Sequence, residues 1–134
     1  MTITHLLDTN ICIYIAKNKP PSVLKRFLTM DVSEIAMSIV TYGELLYGIK
    51  KSQRPQQSKQ ALEELAQLIS PLPLTLAVSE CYADIRASLE KKGQLIGNND
   101  LWIASHALAL DIILVSNNLK EFSRIPSLKT ENWV

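Results

Sequence analysis

The sequence predicts an α/β protein in which a central, mainly parallel sheet of four to five strands is covered by helices on both faces. Two observations predict this three-layer α/β/α arrangement. Short apolar segments alternate along the chain with longer segments in which apolar residues recur every three or four positions. The short segments are also apolar throughout, which is typical of parallel strands buried on both faces.

Each predicted element follows from its local pattern. Prolines after residue 19 and around residue 72 end the helices that precede them. Ser22 is a suitable N-cap for the second helix, and Gly93 is a suitable C-cap for the long helix near the middle of the chain. The predicted strands cover residues 3–7, 34–38, 74–76, 112–116 and, in the tail, 128–134. The predicted helices cover residues 9–17, 40–51, 55–69, 78–92 and 101–110, with another beginning at 22, a loop at 94–99 and a short turn or helix after 116.

Length and composition predict one globular domain over residues 1–134. Apolar residues make up 47% of the chain, which provides a core and argues against disorder. No apolar run approaches the ~20 residues that span a bilayer, and we expect no signal peptide. With only two histidines and no CxxC spacing, a zinc site is not expected, and Cys12 and Cys81 are predicted to be reduced core residues of a cytoplasmic protein.

Charge is distributed unevenly, although the net charge is only +1. Residues 17–59 carry eight basic side chains and three acidic ones, whereas the remainder carries six basic and ten acidic. A basic region beside an acidic one suits a nuclease, in which basic groups hold phosphates and acids hold metal. An ordinary solvated surface accounts for the same clustering equally well.

Three carboxylates are predicted to meet at one edge of the sheet. Asp8 ends the first strand, Glu44 lies in the first turns of the helix after the second strand, and Asp100 opens the helix that leads to the strand at 112–116. In open parallel sheets the functional crevice lies beyond the carboxyl ends of the strands. Each acid also has a local explanation, because Asp8 suits an N-cap, Thr41 and Glu44 fit a capping box, and Asp100 suits a helix N-terminus.

Carboxylates brought this close together would repel one another, and one would take up a proton unless a cation is bound. A site made of oxygen donors favours Mg²⁺ or Mn²⁺, which are held by few carboxylates and several waters. Such a metal lowers the pKa of a bound water and stabilises charge on a phosphoryl oxygen, which suits in-line attack on a phosphodiester. The predicted metal ligands are Asp8 and Asp100, with Glu44 bound directly or through water.

Several segments, in order along essentially the whole chain, carry a resemblance to a known family. They are Leu6-Leu7-Asp8-Thr9-Asn10, the segment 38–45 with Glu44, the segment 95–107 with Asp100, the segment 114–122 with Ser116, Asn117, Asn118 and Glu121, and the ending Thr130-Glu131-Asn132-Trp133. At these separations the chain resembles the PIN-domain family, and within it the VapC-like ribonuclease toxins of bacterial toxin–antitoxin pairs.

The resemblance implies a PIN-like α/β/α fold and Mg²⁺- or Mn²⁺-dependent endoribonuclease activity. It also implies a homodimer that assembles further with a cognate VapB-like antitoxin, and it suggests tRNA, in particular initiator tRNA, as the RNA target. Asp8, Glu44 and Asp100 carry over as the catalytic acids. Many PIN domains have a fourth acid where this chain has Asn118, whose amide cannot supply the charge that favours a second metal. Glu121, three residues on, is a candidate substitute acting through water.

Further side chains are predicted to support the site. Thr9 and Asn10 follow the first acid and are expected to orient it, and Ser116 is expected to hydrogen-bond a water or a carboxylate. His106 lies about 240° around the helix from Asp100, so it is expected to be structural, as is His5. Trp102 is expected to pack rather than stack on bases. The residues expected to guide RNA phosphates are Lys50, Lys51 and Arg54.

Two other functions fit the same residues. One is a PIN-like module that binds RNA or protein without catalysis, for which the argument is Asn118 in place of an acid. The other is a small phosphatase or a DNA nuclease that uses the same acidic site. Metal binding separates the first from a nuclease, and a substrate panel separates the second.

Overall fold

A computed structural model, which describes residues 2–134, contains a five-stranded parallel sheet. The strands are β1 (His5–Leu7), β2 (Ile35–Ser38), β3 (Ser70–Leu72), β4 (Ile113–Val115) and β5 (Thr130–Glu131). They lie in the order β3-β2-β1-β4-β5, so β1 is central. The helices are α1 (Thr9–Lys17), α2 (Pro21–Leu28), α3 (Ile39–Lys50), α4 (Pro55–Leu68), α5 (Leu76–Lys91), α6 (Asn98–Leu110) and α7 (Leu119–Phe122), with a 3₁₀ turn at Val32–Glu34.

Two apolar clusters lie on opposite faces of the sheet, because successive strand residues point to opposite sides. Leu7 and Met37 face the first cluster, which contains buried side chains of α1, α2 and α4. Leu6 and Ala36 face the second, which contains the buried side chains of α6 together with Leu89 of α5. The predicted three-layer α/β/α fold is therefore confirmed.

The carboxyl ends of the three central strands are aligned. Leu7 pairs with Val115, and the Asp8 N–H donates to the Val115 carbonyl at 3.0 Å. Asp8, Ser38 and Ser116 therefore stand at the same edge of the sheet, each at or just after the end of its strand. All three are buried, at 5%, 0% and 0% exposure. This edge is where the sequence predicts the functional crevice.

The predicted strand at 74–76 is wrong, because the third strand is β3, and Leu76 instead begins α5. β3 contains Pro71, which is paired with Met37 of β2. Proline lacks an N–H donor, so it was expected only to end the preceding helix. β3 lies at the edge of the sheet, where one side of the strand has no partner strand, so the missing donor is tolerated.

Two predicted helix starts are also wrong. Pro20 rather than Ser22 is the N-cap of α2, and Pro21 occupies the first helical position, which favours proline because its N–H would be unpaired there. α6 begins at Asn98 rather than at 101, after the glycine N-cap Gly97, so the predicted loop is shorter and Asp100 lies inside the first turn.

The cysteines and the hydropathy of the helices bear on two other predictions. Cys12 is fully buried as expected, but Cys81 is only partly buried, and neither forms a disulfide. Among residues 2–134, no helix combines the length and the apolar character needed to cross a membrane.

Candidate active site

Asp8 joins the central strand to α1. It is the N-cap of that helix, where its Oδ1 accepts a hydrogen bond from the Ile11 N–H at 3.0 Å. Burial raises the pKa of the Asp8 carboxyl above its ordinary value, and the charge of Glu44 raises it further, while the Ser116 hydroxyl lowers it through a hydrogen bond. Asp8 is therefore the helix cap that its local pattern suggests, and it also lies within the electrostatic field of a second acid.

Glu44 is held by side chains from two other helices. The hydroxyl of Thr9 on α1 donates to its Oε1, and Nδ2 of Asn99 on α6 donates to its Oε2 at 3.3 Å. The Thr41 hydroxyl oxygen lies 3.2 Å from that of Thr9. Both carboxylate oxygens are thus oriented by residues that are remote in sequence.

The capping-box explanation of Glu44 is wrong. The N-cap of α3 is Ser38, whose Oγ accepts a hydrogen bond from the Val40 N–H at 3.1 Å. Thr41 and Glu44 consequently lie within the helix, where neither caps its N-terminus. The hydrogen bonds to Glu44 orient its carboxylate at the edge of the sheet, and they do not cap the N-terminus of α3.

Asp100, in the first turn of α6, is partly buried and surrounded by other carboxylates. Burial raises its pKa to about 6, and the charges of Glu121, Asp8 and Glu44 contribute to the rise. The four acids therefore share one electrostatic environment, although they come from four separate parts of the chain. Bringing them together without a counter-ion disfavours the charged form of Asp100.

Glu121, the fourth acid, is hydrogen-bonded to Asn118. Asn118 Nδ2 donates to Glu121 Oε2 at 3.0 Å, and Glu121 also shares a hydrogen bond with the Asp100 carboxyl that raises the pKa of Asp100. The Asn118 N–H in turn donates to Ser116 Oγ at 2.9 Å. Asn118 thus binds Glu121, the acid whose charge and hydrogen bond act on Asp100.

Of the other predicted supporting residues, Asn10 contributes least to the site. Its backbone N–H only helps to lower the pKa of the Asp8 carboxyl, and its side chain is exposed and makes no hydrogen bond within the described part of the chain. Lys50, Lys51 and Arg54 are exposed near the end of α3, and Lys51 Nζ lies 4.5 Å from the ring centroid of Tyr47. These cations are available to solvent.

The histidines take structural positions. His106 is buried, and its Nδ1 lies 2.9 Å from Ser38 Oγ, which ties α6 to the N-cap of α3. Burial lowers the pKa of the His106 imidazole. His5 begins β1, and its Nε2 lies 3.4 Å from Glu131 of β5, an acid outside the group formed by Asp8, Glu44, Asp100 and Glu121.

Sequence reasoning missed two residues that support Glu44. Asn99 donates to its carboxylate, and the Thr41 hydroxyl lies beside that of Thr9. Asn99 immediately precedes the third acid in Asn98-Asn99-Asp100, and that adjacency was the available signal. Thr41 lies three residues before Glu44, and the spacing was interpreted as a helix cap. Both contacts depend on how the helices pack, which local spacing does not define.

The donor set fits a hard divalent cation better than a metal that requires a closed cage. Within residues 2–134, no three or more His, Cys, Asp or Glu side chains form a group that could by itself hold a metal ion. Mg²⁺ does not need such a cage, since it usually retains several waters and binds one or two carboxylates. Burial is the main cause that raises the pKa of both Asp8 and Asp100, and neighbouring carboxylates add to the rise, so a bound cation would favour their charged forms.

Fold and site define a class: an α/β/α domain with a parallel sheet and a group of acids at the carboxyl edge of its central strands. The model of the PIN domain matches residues 5–128. The chain therefore belongs to the PIN-domain family.

Relatives that align over almost the full length of both chains refine this assignment. Ribonuclease VapC2 of Haemophilus influenzae is 40% identical over 132 residues, which cover 98% of this chain and 99% of the relative. The tRNA(fMet)-specific endonuclease VapC of Shigella flexneri is 41% identical over 131 residues, covering 98% of each chain. A chain of the DNA-bound VapBC crystal structure from Salmonella typhimurium superposes with a TM-score of 0.93 at 35% identity, over 99% of this chain and 100% of that one. Within the PIN-domain family, the chain is VapC-like.

Proposed function

We propose that this protein is the toxin of a toxin–antitoxin pair, an endoribonuclease that hydrolyses RNA phosphodiesters with the help of Mg²⁺ or Mn²⁺. The observation that carries the proposal is the convergence of Asp8, Glu44 and Asp100. Burial raises the pKa of Asp100 to about 6, and the charges of Glu121, Asp8 and Glu44 add to the rise. The VapC relatives named as ribonucleases, at about 40% identity over nearly the whole chain, support the same reaction class.

The proposed metal ligands are Asp8 and Asp100, with Glu44 bound directly or through water. A bound Mg²⁺ or Mn²⁺ would lower the pKa of a coordinated water and stabilise negative charge on the phosphoryl oxygens. The chain's own part is to fix the ligands: the Ile11 N–H holds Asp8, and Thr9 and Asn99 hold Glu44. Glu121 is the fourth acid of the proposed site, held by Asn118.

The proposed substrate is tRNA, and initiator tRNA in particular. This choice is supported by the Shigella flexneri relative, which is named as specific for tRNA(fMet). The exposed cations Lys50, Lys51 and Arg54 are the proposed phosphate contacts, since such contacts position a nucleic acid without reading its sequence. An acidic site needs cations of this kind nearby, because its own charge repels RNA.

The proposed partners are a VapB-like antitoxin and a second copy of the chain. The Salmonella typhimurium structure contains VapBC bound to DNA, which supports the antitoxin. An open cleft of about 450 Å³ lies between α1, α3 and α4, with Leu45, Ile49 and Leu62 among its apolar lining residues and Glu44 at its border. We propose that the antitoxin covers this cleft with apolar side chains and directs a basic one toward Glu44, which would block the acidic site.

The experiment that tests the reaction is cleavage of total cellular RNA by the purified protein, freed of any copurifying partner. Wild type and Asp8→Asn are compared with Mg²⁺, with Mn²⁺ and with a chelator, and new RNA ends are sequenced. We expect discrete products that need metal and are absent in the variant, including fragments of initiator tRNA. Equal cleavage by wild type and variant would contradict the proposed site.

The same preparation separates the other candidate functions. A DNA oligonucleotide and a small phosphate monoester are offered beside RNA, because a DNA nuclease or phosphatase would turn over one of them in preference. If no substrate is cleaved and Mn²⁺ does not bind, the protein is a non-catalytic binding module. The argument for such a module is Asn118 in place of an acid, and it is weakened by the contact between Asn118 and Glu121.

A further inference from the structure

The first turn of α6 is held by side chains from three other helices rather than by a cap of its own. Its N-cap, Gly97, has no side chain to offer the free N–H groups of the turn. Asn98 accepts a hydrogen bond from the Tyr82 hydroxyl of α5, Asn99 donates to Glu44 of α3, and Asp100 meets Glu121 of α7. Three consecutive residues are therefore attached to three different elements.

The attachment to α5 consists of two facing pairs of side chains. Tyr82 and Arg86 lie four residues apart on α5, and Asn98 and Trp102 lie four apart on α6, so each pair occupies one helix face. The Tyr82 and Trp102 rings stack with their centroids 3.7 Å apart and their planes 8° apart. One guanidinium nitrogen of Arg86 donates to the Tyr82 hydroxyl at 2.7 Å.

These contacts define the direction in which the Tyr82 hydroxyl donates its proton. Because its oxygen accepts a hydrogen bond from Arg86, its proton is free to be donated to Asn98 Oδ1. Hydrogen bonds linked in this way polarise and strengthen one another. The stacked rings fix the spacing of the two helices, and the hydroxyl fixes the position of the turn along the helix axis.

We propose that Tyr82 is a positioning residue for the acidic site: through Asn98 it holds the first turn of α6 so that Asn99 and Asp100 reach Glu44 and Glu121. This inference rests on the proposed function, since it assigns Tyr82 a part in RNA cleavage. Among residues 2–134, Tyr82 forms no hydrogen bond with Glu44, Asp8 or Glu121, so its effect on the acids passes through α6. Its loss is therefore expected to lower kcat rather than to raise KM for RNA.

The test is Tyr82→Phe, which retains the ring stacked on Trp102 and removes only the two hydrogen bonds. The matched control is Tyr42→Phe, since Tyr42 is also partly buried, and its hydroxyl has no hydrogen-bond partner in the described range 2–134. We expect Tyr82→Phe to lower kcat between about tenfold and about a hundredfold, because misplacing a reacting group by ~1 Å has effects of that size. Mn²⁺ affinity, measured by calorimetry without RNA, should fall at least threefold, while the control matches wild type.

A second variant keeps the proposal testable if Tyr82→Phe is poorly folded. Asn98→Ala removes the acceptor and leaves the ring stack intact, and a double-mutant cycle with Tyr82→Phe measures the coupling between the two residues. We expect the double variant to be no worse than either single variant, because both break the same hydrogen bond.

Three results would overturn the proposal: kcat and Mn²⁺ affinity unchanged in Tyr82→Phe, effects that add independently in the cycle, or a raised KM at unchanged kcat. The last result would make the phenol an RNA contact. Failure of the proposed function is distinguishable, because wild type itself would then cleave no RNA and would give no baseline from which the variants could fall.

Discussion

Asp8 and Asp100 are both acids at helix N-termini, but they are held in different ways. Asp8 caps its own helix through the Ile11 N–H, three residues away, so its position follows from the junction of β1 and α1. Asp100 follows a glycine N-cap, and its surroundings come from α3, α5 and α7. Asp8 is thus oriented by its own helix, and Asp100 is oriented by tertiary packing. We expect the site to function only when both acids are correctly placed.

The largest effect on RNA cleavage is expected from a change at Asp8, the acid that is oriented locally. Asn caps a helix about as well as Asp, so Asp8→Asn should retain the fold while removing the charge. We expect RNA cleavage to fall at least about a hundredfold, since stabilisation of a metal-assisted transition state amounts to several kcal/mol. Cleavage rate and circular-dichroism melting are measured together.

The matched control for this change is Asp31→Asn. Asp31 also caps a helical turn, through the Ser33 N–H at 2.9 Å, but it is exposed and lies outside the acidic group. Its variant should cleave RNA as wild type does. Equal activity in Asp8→Asn and Asp31→Asn would show that the charge of Asp8 has no part in the reaction.

Glu121 tests the anchoring by tertiary packing. Glu121→Gln keeps the shape of the side chain and its hydrogen bond from Asn118, but it removes a charge beside Asp100. We expect RNA cleavage to fall about tenfold, the lower limit for loss of a group that supports metal ligands. The exposed Glu90 of α5 provides the control, Glu90→Gln, and indistinguishable rates for the two variants would remove Glu121 from the site.

Thr9 connects the two forms of anchoring. It follows Asp8 at the start of α1, and its hydroxyl donates to Glu44 of α3. Thr9→Val removes the hydroxyl at nearly constant volume, whereas Thr9→Ser retains it. The valine variant should cleave RNA roughly tenfold more slowly, the lower end of the range for the loss of one hydrogen bond to a charged group. If the serine variant is equally slow, the methyl group rather than the hydroxyl is what matters.

The smallest expected effect concerns stability and pH. The pKa of Asp100 is raised from an ordinary 3.8 to about 6, so the folded state binds its proton more tightly than the unfolded state does. The resulting stabilisation is fully present below about pH 4 and is lost as the pH rises through about 6. The melting temperature of the metal-free protein should therefore fall across this window, and Asp100→Asn should flatten the decline.

Bound metal should reverse the loss of stability at higher pH, because a ligand that binds only the folded state stabilises it. We expect saturating Mn²⁺ to raise the melting temperature by roughly 3 °C more at pH 7 than at pH 5, as measured by calorimetry. A melting temperature that responds equally to Mn²⁺ at both pH values would mean that the carboxylates do not bind it.

The same contrast explains how much could be predicted from the sequence. Strand and helix patterns give the α/β/α fold and the acid at the end of β1, because both depend on neighbouring residues. The strand containing Pro71 was missed, because whether a proline is tolerated depends on the position of its strand in the sheet. The support of Glu44 by Asn99 depends on helix packing, which no local spacing encodes. Glu121 was a candidate because it follows Asn118 by three residues, but its place beside Asp100 also depends on packing.

The most direct test of the account is calorimetric titration of Mn²⁺ into the metal-free protein at pH 7, with Asp8→Asn and Asp100→Asn titrated in parallel. The account predicts that wild type binds Mn²⁺ and that each variant binds at least about tenfold more weakly, because one acid from each form of anchoring has lost its charge. If wild type does not bind Mn²⁺, or if all three proteins bind it equally, the four acids are not a metal site.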